Sequence, residues 1–239
     1  MNDEYTLRDT DTALAEARDV EDTEEAVPEP KTSAGSKALV ALREIVETIV
    51  LALLIFLLVR ACIQNFKVDG SSMDPSLQSG QYLLVNKLSY LRVDVDGLAP
   101  VLSTVGIDTD GGVVTPFGTP QRGDIVVFHF PKDPTRDFIK RVIALPGETV
   151  EVRAGKVLVN NSPLQEPYVL QNPAYSKDQI TVPEDNYFVL GDNRNNSSDS
   201  HVWGPVPVEQ IVGKAWISYW PRKEWGLVPN YKVEAVPNN

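Results

Sequence analysis

The chain has 239 residues, 42% of them hydrophobic and 23% charged, with a net charge of −11, two histidines and one cysteine. That size and balance suit one or two folded domains. They exclude an intramolecular disulfide framework, leave few ligands for a structural zinc, and offer no basic surface for nucleic acid.

The acidity is concentrated at the N-terminus. Residues 1–37 hold eleven acids, Asp3 to Glu29, against Arg8, Arg18, Lys31 and Lys37, a net −7 that leaves −4 for the rest. Residues 1–36 have almost no aromatic or long aliphatic side chains. Such a segment cannot bury enough apolar surface to offset its ordering entropy, so a disordered tail is expected. Its acidity also argues against a secretory signal, whose n-region is basic.

From Ala38 the character changes, and Thr48 to Val59 is uncharged between Glu47 and Arg60. Twelve helical residues reach only about 18 Å, short of the ~30 Å hydrocarbon core. Extension to Leu42 and Ile63 restores the length but admits Arg43, Glu44, Glu47 and Arg60. The arginines can snorkel towards headgroups, and the glutamates fall in the first turns. A buried core helix or an amphipathic entry helix is the alternative; a membrane-anchor helix over 37–64 is expected. Lys31, Lys37 and Arg43 before it, against Arg60 and Lys67 after it, lean towards a cytoplasmic N-terminus.

Beyond the span the pattern is β-like. Gln81 to Leu88 reads as a strand after the Ser79-Gly80 turn, and Asp124 to Phe130 as another after Arg122-Gly123. Residues 93–120, rich in Gly, Asp, Thr and Pro, read as a surface insertion. Phe138 to Leu145, Thr149 to Arg153 and Lys156 to Asn160 follow as strands; residues 161–180 read as loop. Tyr187 to Leu190 is a short strand running into the polar loop Gly191 to His201, and Ile211 to Trp220 is the last strand. Many short strands with no second long helix predict an all-β domain over 65–239.

Two adjacent hydroxyls, Ser71 and Ser72, follow Gly70 and precede Pro75, close after the apolar segment. A serine needs a neighbouring base to act as a nucleophile. His201 beside Asp199 allows a Ser72/His201/Asp199 triad by residue type, but these two neighbours can equally cap a turn. Lysine is the other candidate, provided that an apolar site lowers its pKa from about 10.4. Strand alternation places Lys140 on one face with Phe138 and Val142, and Ile139, Arg141 and Ile143 on the other. Lys140 is therefore either a buried base or a lysine blunting a sheet edge.

Four blocks stand in order behind the apolar segment: Ser72-Met-Asp-Pro-Ser-Leu77, Arg122-Gly-Asp-Ile-Val-Val-Phe128, Lys140 to Glu148, and Gly191-Asp-Asn-Arg-Asn-Asn-Ser-Ser-Asp-Ser200. In this the chain resembles the type I signal peptidases, membrane-anchored Ser/Lys endopeptidases that remove signal peptides from exported preproteins. The resemblance implies a mainly β fold of antiparallel sheets, extracytoplasmic, behind one transmembrane helix. It implies Ser72 as nucleophile, Lys140 as general base, Ser197 as the hydroxyl orienting the lysine, and Asp199 as the carboxylate bracing the loop. Where the family usually has an arginine to pair with that aspartate, this chain has His201, with Arg194 a possible substitute. Gly70 stands where some members carry an oxyanion-hole serine, so the backbone at Gly70 and Ser72 is expected to supply the donors. The resemblance further implies pocket walls around Met73 and residues 81–86, an Ala-x-Ala-like site in the preprotein, and no cofactor or metal. Two rivals remain: a self-cleaving Ser/Lys repressor, which would need a DNA-binding module, and a non-catalytic membrane-tethered β module that binds exported chains.

Overall fold

The computed structural model describes residues 34–95 and 112–233. The acidic tail up to residue 33 and most of the expected insertion lie outside the described residues.

Helix α1 runs from Ala34 to Cys62. Within it, the 24-residue stretch Leu39–Cys62 contains an 18-residue window of mean hydropathy 2.5 and is long and apolar enough to cross a membrane. Its leucines, isoleucines and valines are exposed all round, which suits lipid better than a one-sided protein contact. The charges near its start are locally satisfied: Arg43 Nε donates to Glu47 Oε1 at 2.7 Å, one turn on. The helix stops two residues earlier than expected. The reason is strand β1, Ile63–Lys67, which takes its hydrogen bonds from strand β2, Tyr82–Asn86.

Residues 63–233 are β-rich. After β1 and β2 come the two-residue strands β3 (Val93–Asp94) and β4 (Val113–Val114), then β5 (Ile125–Phe130) and the long β6 (Asp133–Ala144). Next are β7 (Thr149–Arg153), β8 (Lys156–Val159), β9 (Ser162–Pro163), β10 (Lys177–Thr181) and β11 (Asn186–Leu190). A one-turn helix α2 (Ser200–Trp203) precedes β12 (Val206–Pro207), β13 (Ile211–Trp220) and β14 (Gly226–Leu227). The main sheet has the order β1-β2-β13-β5-β6-β11-β12, with β14 also paired to β13, and β10-β7-β8-β9 form a second sheet. All pairings are antiparallel. The segment 161–180, read as loop, contributes β9 and β10. Their polar composition hid a period that pairing with β7 and β8 supplies. Of the expected insertion, residues 93–95 and 112–120 are described, with β3 paired to β4.

Three apolar clusters hold these layers. Ile143, Phe188 and Leu190 of the main sheet pack on Val150, Val152, Val157 and Val159 of the second. Val126, Phe128, Val142 and Val189 form another cluster. The third, Val68, Met73, Leu77, Leu83, Ile125 and Ala215, lies under the Ser72 turn. Phe188 is fully buried where the two sheets meet. Phe188→Ala should therefore lower the unfolding free energy by about 3–5 kcal/mol in a denaturant titration of the full chain, with the m-value unchanged.

Candidate active site

The segment after β1 closes on itself before β2. Val68 N donates to Gln81 O at 2.8 Å and Gly80 N to Val68 O at 2.9 Å. Within it the chain coils tightly, with Asp74 N on Ser71 O at 3.2 Å and Leu77 N on Met73 O at 2.9 Å. Met73 and Leu77 are buried and anchor the turn in the cluster beneath. Gly70 enters it at φ +84°, a conformation L side chains resist.

Lys140 comes from the middle of β6, paired with Val126 of β5. Its Nζ lies 2.8 Å from Ser72 Oγ and 2.8 Å from the Ile139 carbonyl oxygen, and 5.5 Å from the centre of the Phe138 ring. The residue is 4% exposed. Burial pulls its pKa down to about 8, against the opposing pull of Asp199 and Asp192. Ammonium is thus destabilised next to a hydroxyl, while two carboxylates limit how far the proton is released.

The loop after β11 carries those carboxylates and closes over the turn. Asn193 N donates to Ser72 O at 3.1 Å, and its Nδ2 to Ser71 O at 3.1 Å. Asn196 Nδ2 donates to Ser71 Oγ at 2.8 Å. A Cβ on Gly191 would collide with Ser197 Oγ and the Ser72 carbonyl, so only glycine lets the loop approach the Ser72 turn here. Asp192 is fully buried and accepts from Arg141 Nε at 2.8 Å and Nη2 at 2.6 Å. Arg141 also donates to Gly123 O at 2.8 Å, Pro229 O at 3.0 Å and Ser76 Oγ at 3.2 Å. Its guanidinium lies 4.0 Å from the Tyr168 ring centre and 5.2 Å from that of Tyr231.

The segment before β10 straps this loop from outside. Arg194 pairs with both oxygens of Glu166 at 2.7 and 2.5 Å. Asn195 accepts from Ala174 N at 2.7 Å and donates to Asn172 O at 3.0 Å. The Tyr175 ring stacks on the His201 imidazole with centres 3.9 Å apart.

These contacts sort the expected site residues. Ser72 and Lys140 are brought together. Asp199 is fully buried at the start of α2, accepting from Gly191 N at 3.0 Å, and its partner is His201 Nδ1 at 2.6 Å. Arg194 does not substitute in that pair, because Glu166 takes its guanidinium. The Ser72/His201/Asp199 arrangement is not formed either: His201 faces Asp199 and Tyr175, and the partner of the Ser72 hydroxyl is Lys140. Ser197 and Gly70 have the following surroundings. Ser197 Oγ is buried over Gly191 and makes no hydrogen bond among the described residues, while Lys140 directs its second contact to the Ile139 carbonyl. Gly70 N–H already donates to Ser79 Oγ at 3.2 Å, so it is not an open oxyanion donor. The Ser72 N–H has no acceptor among the backbone contacts of the described residues.

A cavity of about 360 Å³ opens beside the two reactive atoms. One wall is Phe66 to Asp69, the other Arg136 to Lys140, with Leu83 and Val127 below. Leu83 falls within the expected 81–86 wall, and the Met73 side chain, whose backbone is the part expected beside the pocket, is buried in the core. β11 pairs with β6 only from Arg141 onward, so along Asp133–Lys140 the β6 edge opposite β5 is unpaired among the described residues.

The family model for signal peptidase, peptidase S26, matches residues 42–220. The chain belongs to that family. Its function is accordingly signal-peptide processing by a peptidase. A probable signal peptidase I-1 from Synechocystis sp. is 38% identical over 80% of this chain and 88% of its own length. Signal peptidase I from Leptolyngbya laminosa is 37% identical over 87% and 96%, and that from Pseudomonas aeruginosa 33% identical over 73% and 71%.

Sequence reasoning missed Arg141, Asp192, Asn193 and Glu166 in this peptidase. A charged residue inside an apolar strand was the available signal for Arg141; nothing local marks Glu166 as the partner of Arg194. Asp192→Ala would leave the Arg141 guanidinium buried without its counter-charge. It should cost about 3–5 kcal/mol in equilibrium unfolding, and limited proteolysis should show earlier cleavage within 191–199.

Proposed function

We propose that this peptidase cleaves preproteins by a Ser72/Lys140 dyad through an acyl-enzyme. The supporting observation is the 2.8 Å contact between Lys140 Nζ and Ser72 Oγ at a buried lysine whose pKa lies near 8. Neutral Lys140 takes the Ser72 proton as Oγ bonds to the scissile carbonyl carbon. The resulting oxyanion is met by the Ser72 N–H. The peptide C–N bond then breaks, and the Lys140 ammonium protonates the leaving amine. Neutral again, Lys140 takes a proton from water as its oxygen attacks the ester carbonyl, and returns that proton to Ser72 Oγ as the acyl C–O bond breaks.

The preprotein segment lies extended in the groove, adding to the open β6 edge by main-chain hydrogen bonds. The apolar walls at Phe66, Val68, Leu83 and Ile139 leave room for small side chains of an Ala-x-Ala-like site. Helix α1 anchors the enzyme as a single membrane span, N-terminus cytoplasmic and residues 65–239 on the other side, so that the nucleophile acts near the bilayer in which the substrate's apolar segment sits. No cofactor enters these steps.

Ser72→Ala and Lys140→Met should each abolish cleavage of a model preprotein, and Ser72 should be the residue a serine-reactive inhibitor labels by mass spectrometry. Residual cleavage above one per cent in either variant would sink the dyad. Ser71→Ala, which loses only the Asn196 contact, should still cleave.

The lysine must be neutral to accept a proton, so the sign of the pH dependence follows. The folded pKa lies below the ordinary value, and kcat/KM should rise with pH and level off above about 8. A profile that falls between pH 7 and 8 would exclude Lys140 as the base.

A further inference from the structure

We infer that Arg136 is a specificity residue at the far end of the groove, reading the fifth side chain before the scissile bond and favouring an acidic one. The inference rests on the dyad reading above. Phe138 and Lys140 are alternate residues of the regular stretch of β6 and share one face, and Arg136, just past it where the pairing with β5 shifts, turns to the same side. Contacts bear this out: Phe138 has Lys140 Nζ at 5.5 Å and Arg136 Cζ at 5.2 Å from its ring centre. Phe130, stacked on Phe138 at 4.7 Å, lies 5.9 Å from the same guanidinium. Arg136 is thus an exposed cation held on two aromatic faces, while the same Phe138 ring lies beside the buried base.

Its charge is uncommitted among the described residues. Asp137 is engaged by His129 Nδ1 at 2.7 Å, and Asp133 accepts from Thr135 Oγ1 at 2.6 Å while feeling the Arg136 charge. On the opposite wall Lys67 adds a second positive charge; Asp69, the remaining acid on the lining, stands nearer Ser72 in the chain.

Register supplies the position. Pairing with β5 runs in step from Lys140 back to Asp137 and shifts beyond it, so Arg136 stands at the irregularity, four residues and at most roughly 13 Å from Lys140. A substrate strand along the same open edge keeps step with the regular stretch down to Asp137, and its residues one, three and five before the cut point to one face. With the first beside Ser72 and Lys140, the fifth reaches Arg136. A guanidinium pre-set on rings meets a carboxylate with little rotamer freedom left to lose. For a partly exposed pair the preference should be roughly fivefold.

The test is a preprotein panel with Glu, Ala or Arg five residues before the cut, cleaved by the full chain in detergent micelles and scored as relative kcat/KM within each enzyme. Wild type should favour Glu over Arg, and a second panel varied six residues before the cut should show no such order. Arg136→Lys should keep the preference, Arg136→Gln should flatten it, and Arg136→Glu should reverse it. Arg153→Gln, remote on β7, should leave it unchanged. Equal cleavage of the Glu and Arg substrates by wild type, or a preference that survives Arg136→Gln, overturns the assignment alone. No cleavage of any substrate by wild type overturns the dyad reading and the assignment together.

Discussion

The buried pair between Arg141 and Asp192 is the constraint on which the site depends. Taking both charges out of water is costly, and the cost is offset only because every guanidinium donor direction meets an oxygen and the stacked rings of Tyr168 and Tyr231 lie against it. Those partners come from five separate places: the Ser72 turn through Ser76, the β5 approach through Gly123, the C-terminal arm through Pro229, the strap through Tyr168, and the loop after β11. Arg141 is the residue after Lys140. The strand that presents the base is therefore pinned, one position on, to the turn that presents the nucleophile and to the loop that covers both. An ion pair of this kind contributes little net stability, yet it admits few alternative arrangements.

Around Lys140 the same economy of charge operates. Desolvation by its apolar surroundings favours the neutral amine, and Asp199 and Asp192 oppose it. Neither carboxylate bonds the lysine directly. Asp192 is committed to Arg141, Asp199 to Gly191 N–H and His201. Had either been free to approach Nζ, the ammonium would be held as an ion pair and could not take a proton from Ser72. His201 in turn is held flat by Tyr175, so the brace of Asp199 extends outward to the strap.

The groove arises because, among the described residues, two edges of one sheet are left unpaired where the chemistry occurs. Among these residues β1 pairs with β2 alone, and β6 is released by β11 just before Lys140. Unsatisfied backbone groups on such edges normally invite aggregation. Here the charged rim at Lys67, Asp69, Arg136 and Asp137 limits what can enter.

What the sequence determined by itself was local. The apolar run announced α1, because a helix draws its hydrogen bonds from its own neighbours. The alternation around Lys140 announced its strand and the face it shares with Phe138. The four ordered blocks pointed to the family and to Ser72. Residues 161–180 stayed illegible, since β9 and β10 pair with strands their own composition does not reveal. The tertiary structure alone decided which polar groups meet: that Ser72 faces Lys140, that Asp192 belongs to Arg141 and Arg194 to Glu166, that Asp199 takes His201, and that the Gly70 N–H is spent on Ser79. Hydrogen-bond partners far apart in the chain are chosen by where the sheet brings backbone and charge together, and no local pattern encodes that choice.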